Sequence, residues 1–121
     1  MASRFPLTPL RLAAVYDMLR AWPPFYRWQL PVGAEVRFRV ARTRQWHAQW
    51  WIEGGRHHID VSAATHGHLS SLIETVAHEA IHVRQRIAKT ETRGVEHNAE
   101  FHRLAKRICT IHGFDPNAFL G

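Results

Sequence analysis

Apolar positions recur along this chain with two periods, and the switches between them divide it into elements. Leu12, Val15, Tyr16, Leu19 and Trp22 lie three or four apart, a spacing that stacks side chains on one face of a helix. Thr8-Pro9 supplies the start, a hydroxyl N-cap followed by Pro at the first helical position. Pro23-Pro24 ends it. Residues 25–33 read as a connector whose aromatics cover the core. Over residues 35–42 the period drops to two. Val36, Phe38 and Val40 fall on one face, and Arg37, Arg39 and Arg42 mostly on the other. Residues 46–52 alternate again, with Trp46, Ala48, Trp50 and Ile52 inward and His47, Gln49 and Trp51 outward. A third strand, residues 58–62, runs through Ile59 and Val61 after the hairpin signal Gly54-Gly55. Three short strands joined by short turns predict an antiparallel meander.

The helical period then returns in Leu72, Ile73, Val76, Ala77, Ala80 and Ile81. Ser71-Leu72-Ile73-Glu74 matches a capping box at its start, with a start nearer His68 as the alternative. A polar loop covers residues 89–96. The last helix begins near Asn98, carries the stripe Phe101, Leu104, Ala105, Ile108 and Ile111, and stops at Gly113. The resulting expectation is an α+β fold over residues 1–121 as a single domain. It comprises an N-terminal helix, a three-stranded antiparallel sheet, a helix bearing the candidate chemistry and a C-terminal helix.

Composition narrows the function classes. With 121 residues, 45% hydrophobic and 21% charged, the chain is long enough for one core and too apolar for wholesale disorder. No apolar run approaches the ~18 residues of a membrane span. Pro6, Pro9, Arg11 and Asp17 interrupt any signal-peptide core, so a cytoplasmic or nucleoid-associated protein is expected. Cys109 is the one cysteine, which excludes an internal disulfide and a Cys-rich zinc ribbon and leaves metal binding to His and carboxylates. The formal charge is +6, from 16 Lys+Arg against 10 Asp+Glu. A basic surface of that kind suits DNA as a partner as well as plain solubility. Arg37, Arg39, Arg42 and Arg44 are the candidate contacts, set in an antiparallel pairing beside His47, Gln49 and the exposed aromatic Trp51.

Ten histidines bring the chemistry into view. His78-Glu79-Ala80-Ile81-His82 puts two imidazoles four residues apart, hence on one helix face with Cβ atoms ~5–6 Å apart. That pair can converge on one Zn²⁺. Glu79 follows the first imidazole and suits the general base that deprotonates an attacking water. A catalytic zinc takes a third protein ligand. His97, across the polar loop, and Glu100, on the last helix, are the candidates. His102, one position past the apolar Phe101, faces outward on the helical period. His57-His58 and His66-x-His68 lack a spacing tied to a site geometry and read as exposed polar positions. Trp22, Trp28, Trp46 and Trp50 read as core, and Cys109 as a small buried side chain.

Taken together, His78-Glu79-Ala80-Ile81-His82, the loop, and His97-Asn98-Ala99-Glu100-Phe101 with its continuation to Ile108 resemble the SprT-like (Spartan-type) zinc metalloprotease family. That family's pattern is H-E-x-x-H, a loop, and H-G-x-x-F opening a helix. The resemblance implies a gluzincin-like α+β fold and an endopeptidase acting on protein or peptide substrates, some of them attached to DNA. It implies His78, His82 and His97 as the metal ligands, Zn²⁺ as the cofactor and Glu79 as the base. Two departures stand out. The chain has no Cys-containing zinc-binding appendage, and Asn98 stands where the pattern has Gly. Asn tolerates the left-handed backbone Gly favours, so that change is mild. Two other functions compete: a basic DNA-binding module with a structural zinc, and a regulatory protease specific for one repressor-like partner. An extended substrate is expected to add to the strand at residues 58–62 as the exposed sheet edge.

Overall fold

The computed structural model describes residues 6–66 and 68–120. Most of the segment read for an export signal is included, but its first five residues lie outside the described range.

The first helix, α1 (Pro9–Arg20), forms as its sequence dictates. The Thr8 hydroxyl accepts the Arg11 backbone N–H at 3.1 Å, Pro9 occupies the first turn, and Leu12, Val15, Tyr16 and Leu19 are buried. Trp22 lies beyond the helix end and packs against His112. In the following connector Phe25 and Trp28 are buried, while Tyr26 stays exposed.

Three strands follow, β1 (Arg37–Ala41), β2 (Ala48–Glu53) and β3 (Arg56–Ser62), and their spatial order is β1-β3-β2. The expected antiparallel meander is therefore only half right. β2 and β3 form the antiparallel hairpin, turned by Gly54 and Gly55 at φ 59° and 75°, the left-handed pair such a turn requires. β1 instead pairs parallel with β3, so the sheet is mixed. The reason lies in residues 42–47, which have no glycine to make a tight return. They carry the chain across the C-terminal end of β3, and Ser62 pins them there. Its hydroxyl accepts the Thr43 N–H at 3.1 Å and donates to the Thr43 carbonyl at 2.5 Å. Its own N–H donates to the His47 carbonyl at 2.8 Å. β3 is consequently the central strand, and the expectation of a substrate-accepting edge at residues 58–62 fails.

One sheet face packs on the helices. Phe38, Ile59 and Val61 are buried there, with the Phe38 ring 5.5 Å from that of Tyr16. On the opposite face Arg37 aligns with His58 and then Trp51, whose ring stacks on His58 at 5.0 Å. β3 thus separates Arg37 and Arg39 from the β2 positions that were expected to adjoin them.

α2 (Leu69–Ala88) begins after His68, one turn ahead of the capping-box match. Ser71 lies inside the helix and its hydroxyl donates to the His68 carbonyl. α3 (Ala99–His112) is capped by the Asn98 side chain and ends at Gly113, with Phe101, Ala105, Ile108 and Cys109 buried and Ile111 exposed. A fourth helix, α4 (Pro116–Leu120), was not read from the sequence. Its signal is Asp115-Pro116, the same acceptor-plus-Pro start as Thr8-Pro9. The Asp115 carboxylate accepts the Asn117 N–H at 3.0 Å. Among the described residues no helix is long and apolar enough to cross a membrane.

Candidate metal centre

α2 supplies the first half of the centre. His78 and His82 are one turn apart on its sheet-facing side, with ring centroids 5.6 Å apart. His97 completes the group from the last residues of the loop before α3, 4.9 Å from His78 and 5.3 Å from His82. One nitrogen from each ring lies within 4.8 Å of the other two. Phe101 is the floor beneath them. It is fully buried, and its ring centroid lies 4.1 Å from His97, 4.8 Å from His82 and 5.0 Å from His78.

Neighbouring groups orient two of the rings. His78 Nδ1 lies 2.9 Å from the Phe119 carbonyl of α4. A carbonyl only accepts, so Nδ1 carries the proton and Nε2 keeps its lone pair. Trp50 of β2 lies flat against His82, at 5.6 Å and 12°. Its indole N–H donates to His57 Nδ1 at 3.0 Å. The Arg86 guanidinium sits 5.7 Å from the same indole and pairs with Glu91 at 2.8 Å.

The donor set fits a divalent cation. Burial lowers the pKa of all three imidazoles, and that of His82 falls to about 3 because His78 and His97 add repulsion. They are neutral at pH 7, the form that ligates. His97 Nε2 and Glu79 Oε2 are buried with no hydrogen-bond partner, an arrangement that demands an explanation in a folded protein. Glu79 is 5% exposed. Burial, then the nearby Glu96 carboxylate, pushes its carboxyl up to about 8. A cation beside it would pull the other way and favour the carboxylate.

The remaining candidates are placed elsewhere. Glu100 accepts from Gln85 Nε2 at 2.9 Å and faces Arg103 at 3.6 Å, so the rival third ligand is outside the cluster. His102 is exposed, as expected. His57 and His66 are buried rather than exposed. His57 accepts from Trp50, and His66 bonds the Ser62 carbonyl at 2.9 Å and the Thr75 hydroxyl at 2.6 Å. His58 is half-buried against Trp51, and His68 is exposed. Trp46 and Trp50 are half-buried rather than core. Asn98 is not left-handed. Its φ is −79° and ψ −178°, because the side chain is used as the α3 cap.

A cleft of about 520 Å³ opens beside the imidazoles, with Arg44, Trp46, Glu74, Thr75 and His97 among its walls. A smaller cavity of about 240 Å³ lies on the far side, bounded by Trp50, His82 and Gln85. Ala48, Glu79 and Glu96 belong to both. Together they form a trough along the outer edge of β2. The bond from Ser62 to His47 fixes which residues face that edge. His47 pairs with Ser62, so Ala48, Trp50 and Ile52 turn their N–H and C=O groups away from β3. Among the described residues no strand covers them.

No curated protein matches this chain. The family model described as the SprT-like family matches residues 15–118, a span that runs from α1 into α4 and takes in Glu79 and all three clustered imidazoles. The chain belongs to the SprT-like family.

Proposed function

We propose that this protein is a zinc-dependent endopeptidase of zincin-like fold. One observation carries the reading: three neutral imidazoles with ligand atoms within 4.8 Å of one another, beside a buried carboxyl oxygen without a partner, at the floor of an open trough. His78, His82 and His97 would hold the ion. Three nitrogen donors and an open fourth position suit catalytic zinc. When bound, zinc polarises the scissile carbonyl and acidifies water. Glu79 Oε2 takes a proton from the attacking water, whose oxygen bonds to the carbonyl carbon, and returns it to the leaving amine as the C–N bond breaks. Ala48 and Trp50 offer main-chain groups to an extended peptide added along β2.

The test uses purified full-length protein with zinc analysis and an unfolded protein such as casein as substrate. The expected result is about one zinc per chain in both wild type and Glu79→Gln, with cleavage in the variant down by at least roughly 10³-fold, as for loss of an essential proton-transfer group. Equal cleavage by the variant would overturn the reading.

A nucleic-acid partner is supported separately. Arg37 and Arg39 are exposed on the sheet face opposite Phe38, Ile59 and Val61, and Arg42 and Arg44 continue the strip across the 42–47 segment to the mouth of the trough. DNA lying on that strip would bring bound proteins to the site in the cytoplasm or on the nucleoid. Affinity for single-stranded DNA should then fall steeply with salt, and Arg42→Ala with Arg44→Ala should flatten the log–log slope by roughly two phosphate contacts. An unchanged slope would remove the strip from consideration.

A further inference from the structure

His97 has no helix to set its distance from His78 and His82. Residues 91–96, which lead to it, are exposed. The chain nevertheless returns to the same place, and the contacts that bring it there converge on its neighbour. The Asn98 side chain makes four hydrogen bonds. Oδ1 accepts from the Phe101 backbone N–H and from Gln85 Nε2, each at 2.9 Å. Nδ2 donates to the Thr90 carbonyl at 3.0 Å and to the Thr92 hydroxyl at 2.9 Å. These four partners belong to α3, α2 and the start of the loop, where Thr92 opens a turn in which Val95 N–H bonds the Thr92 carbonyl.

Gln85 is the link to the other two imidazoles. It lies three residues past His82 on α2 and is 2% exposed. Its second amide hydrogen goes to Glu100 Oε1 at 2.9 Å. One amide donor therefore ties the helix that carries His78 and His82 to the first turn of α3 at two points, on either side of Ala99. We infer that Gln85 and Asn98 are positioning residues for the third imidazole, and that the Gln85–Asn98 bond sets where His97 meets the other two. The inference rests on the proposed metal centre. It also gives residue 98 a use for its side chain, which an N-cap alone does not require: capping consumes one of its four bonds.

The test is zinc affinity by competition with a chromophoric chelator, measured on wild type, Gln85→Met, Asn98→Asp, His97→Ala and the Gln85→Met/His97→Ala double variant. Met keeps the shape of Gln85 and deletes both donors. Zinc affinity should drop by roughly 10–100-fold, the usual cost of losing a group that orients a ligand. Asp at 98 keeps the acceptor and loses the donors to Thr90 and Thr92. It should cost roughly tenfold by the same reasoning. On the His97→Ala background Gln85→Met should add less than about twofold, because its effect runs through residue 97.

A folded Gln85→Met variant within about twofold of wild type would overturn the inference, and so would an equal loss on the His97→Ala background. If Gln85→Met does not fold, Thr92→Val removes a single exposed bond of the same hub and should still weaken zinc measurably. Amide exchange in metal-free protein provides the independent reading. Gln85→Met should speed exchange across residues 90–97 and leave the first half of α2 unchanged; unchanged exchange across residues 90–97 overturns the positioning role. Wild type that takes up no zinc would instead count against the metal centre, while the exchange comparison still decides between positioning and no role.

Discussion

The two halves of the site reach the same geometry by different routes. His78, Glu79 and His82 sit within five residues of one helix, and the helix itself places them. His97 arrives from across an exposed loop, held through Asn98 by hydrogen bonds to three separate stretches of chain. The helical half is rigid because α2 buries Val76, Ala77, Ala80, Ile81 and Val83 in the core. The loop half buries little, so its order depends on polar contacts that act only when all their partners are in place. Local periodicity can position two imidazoles cheaply, but the third needs a specific set of long-range bonds.

Ligand removal is the sharpest way to break that contrast. On the proposed metal centre, His82→Ala and His97→Ala should each weaken zinc by at least roughly 100-fold, about 2.7 kcal/mol, since each would supply one of three donors. Chelator competition measures both. A His97→Ala loss under tenfold would mean that the loop half is dispensable.

Acid should come next in size. Burial lowers the pKa of His57, His66, His78, His82 and His97, so the unfolded chain binds protons that the folded one refuses. Their contribution to stability is complete above pH 6.5 and is lost as the pH falls, down to about 3 for His82. Glu79, raised to about 8, acts in the opposite sense: its contribution is lost as pH rises from 4.5 through 8. In metal-free Glu79→Gln, Tm should therefore fall steadily between pH 7 and pH 5. His82→Ala should flatten that slope more than His97→Ala, because His82 is the more deeply buried ring. A Tm that rises on acidification would refute the assignment.

The smallest effect concerns the junction of the two halves. Lys89, the C-cap of α2, is left-handed at φ 58°, which costs a non-glycine residue roughly 1 kcal/mol. Lys89→Gly should raise stability by up to about that amount in denaturant unfolding. Zinc affinity should not change. If it did, the entry angle of the loop rather than the Asn98 hub would control His97.

What was legible in the sequence follows the same division. The α1 start, the β2–β3 turn and the H-E-x-x-H pair are local signals, and each appears where its residues put it. Pairing of β1 with β3 was not legible. Strand alternation says which face is apolar but not which neighbour is taken, and here Ser62 makes that choice by capturing residues 42–47. Glu100 and His97 were both credible third ligands by spacing. Only the packed structure turns Glu100 to Gln85 and Arg103 and leaves the His97 nitrogen without a hydrogen-bond partner. The Phe119 carbonyl that orients His78 had no side-chain signature at all, and Trp50 looked like any core aromatic.

By itself, then, the order of residues determined the first three helices, the faces of the strands and the chemical character of the site, because those depend on periods of two to four residues. Tertiary structure alone decided the mixed sheet, the β2 edge and the hub that holds His97, the third imidazole the family pattern had already named. Each of those depends on residues far apart in the chain, which a period of two to four residues does not reach.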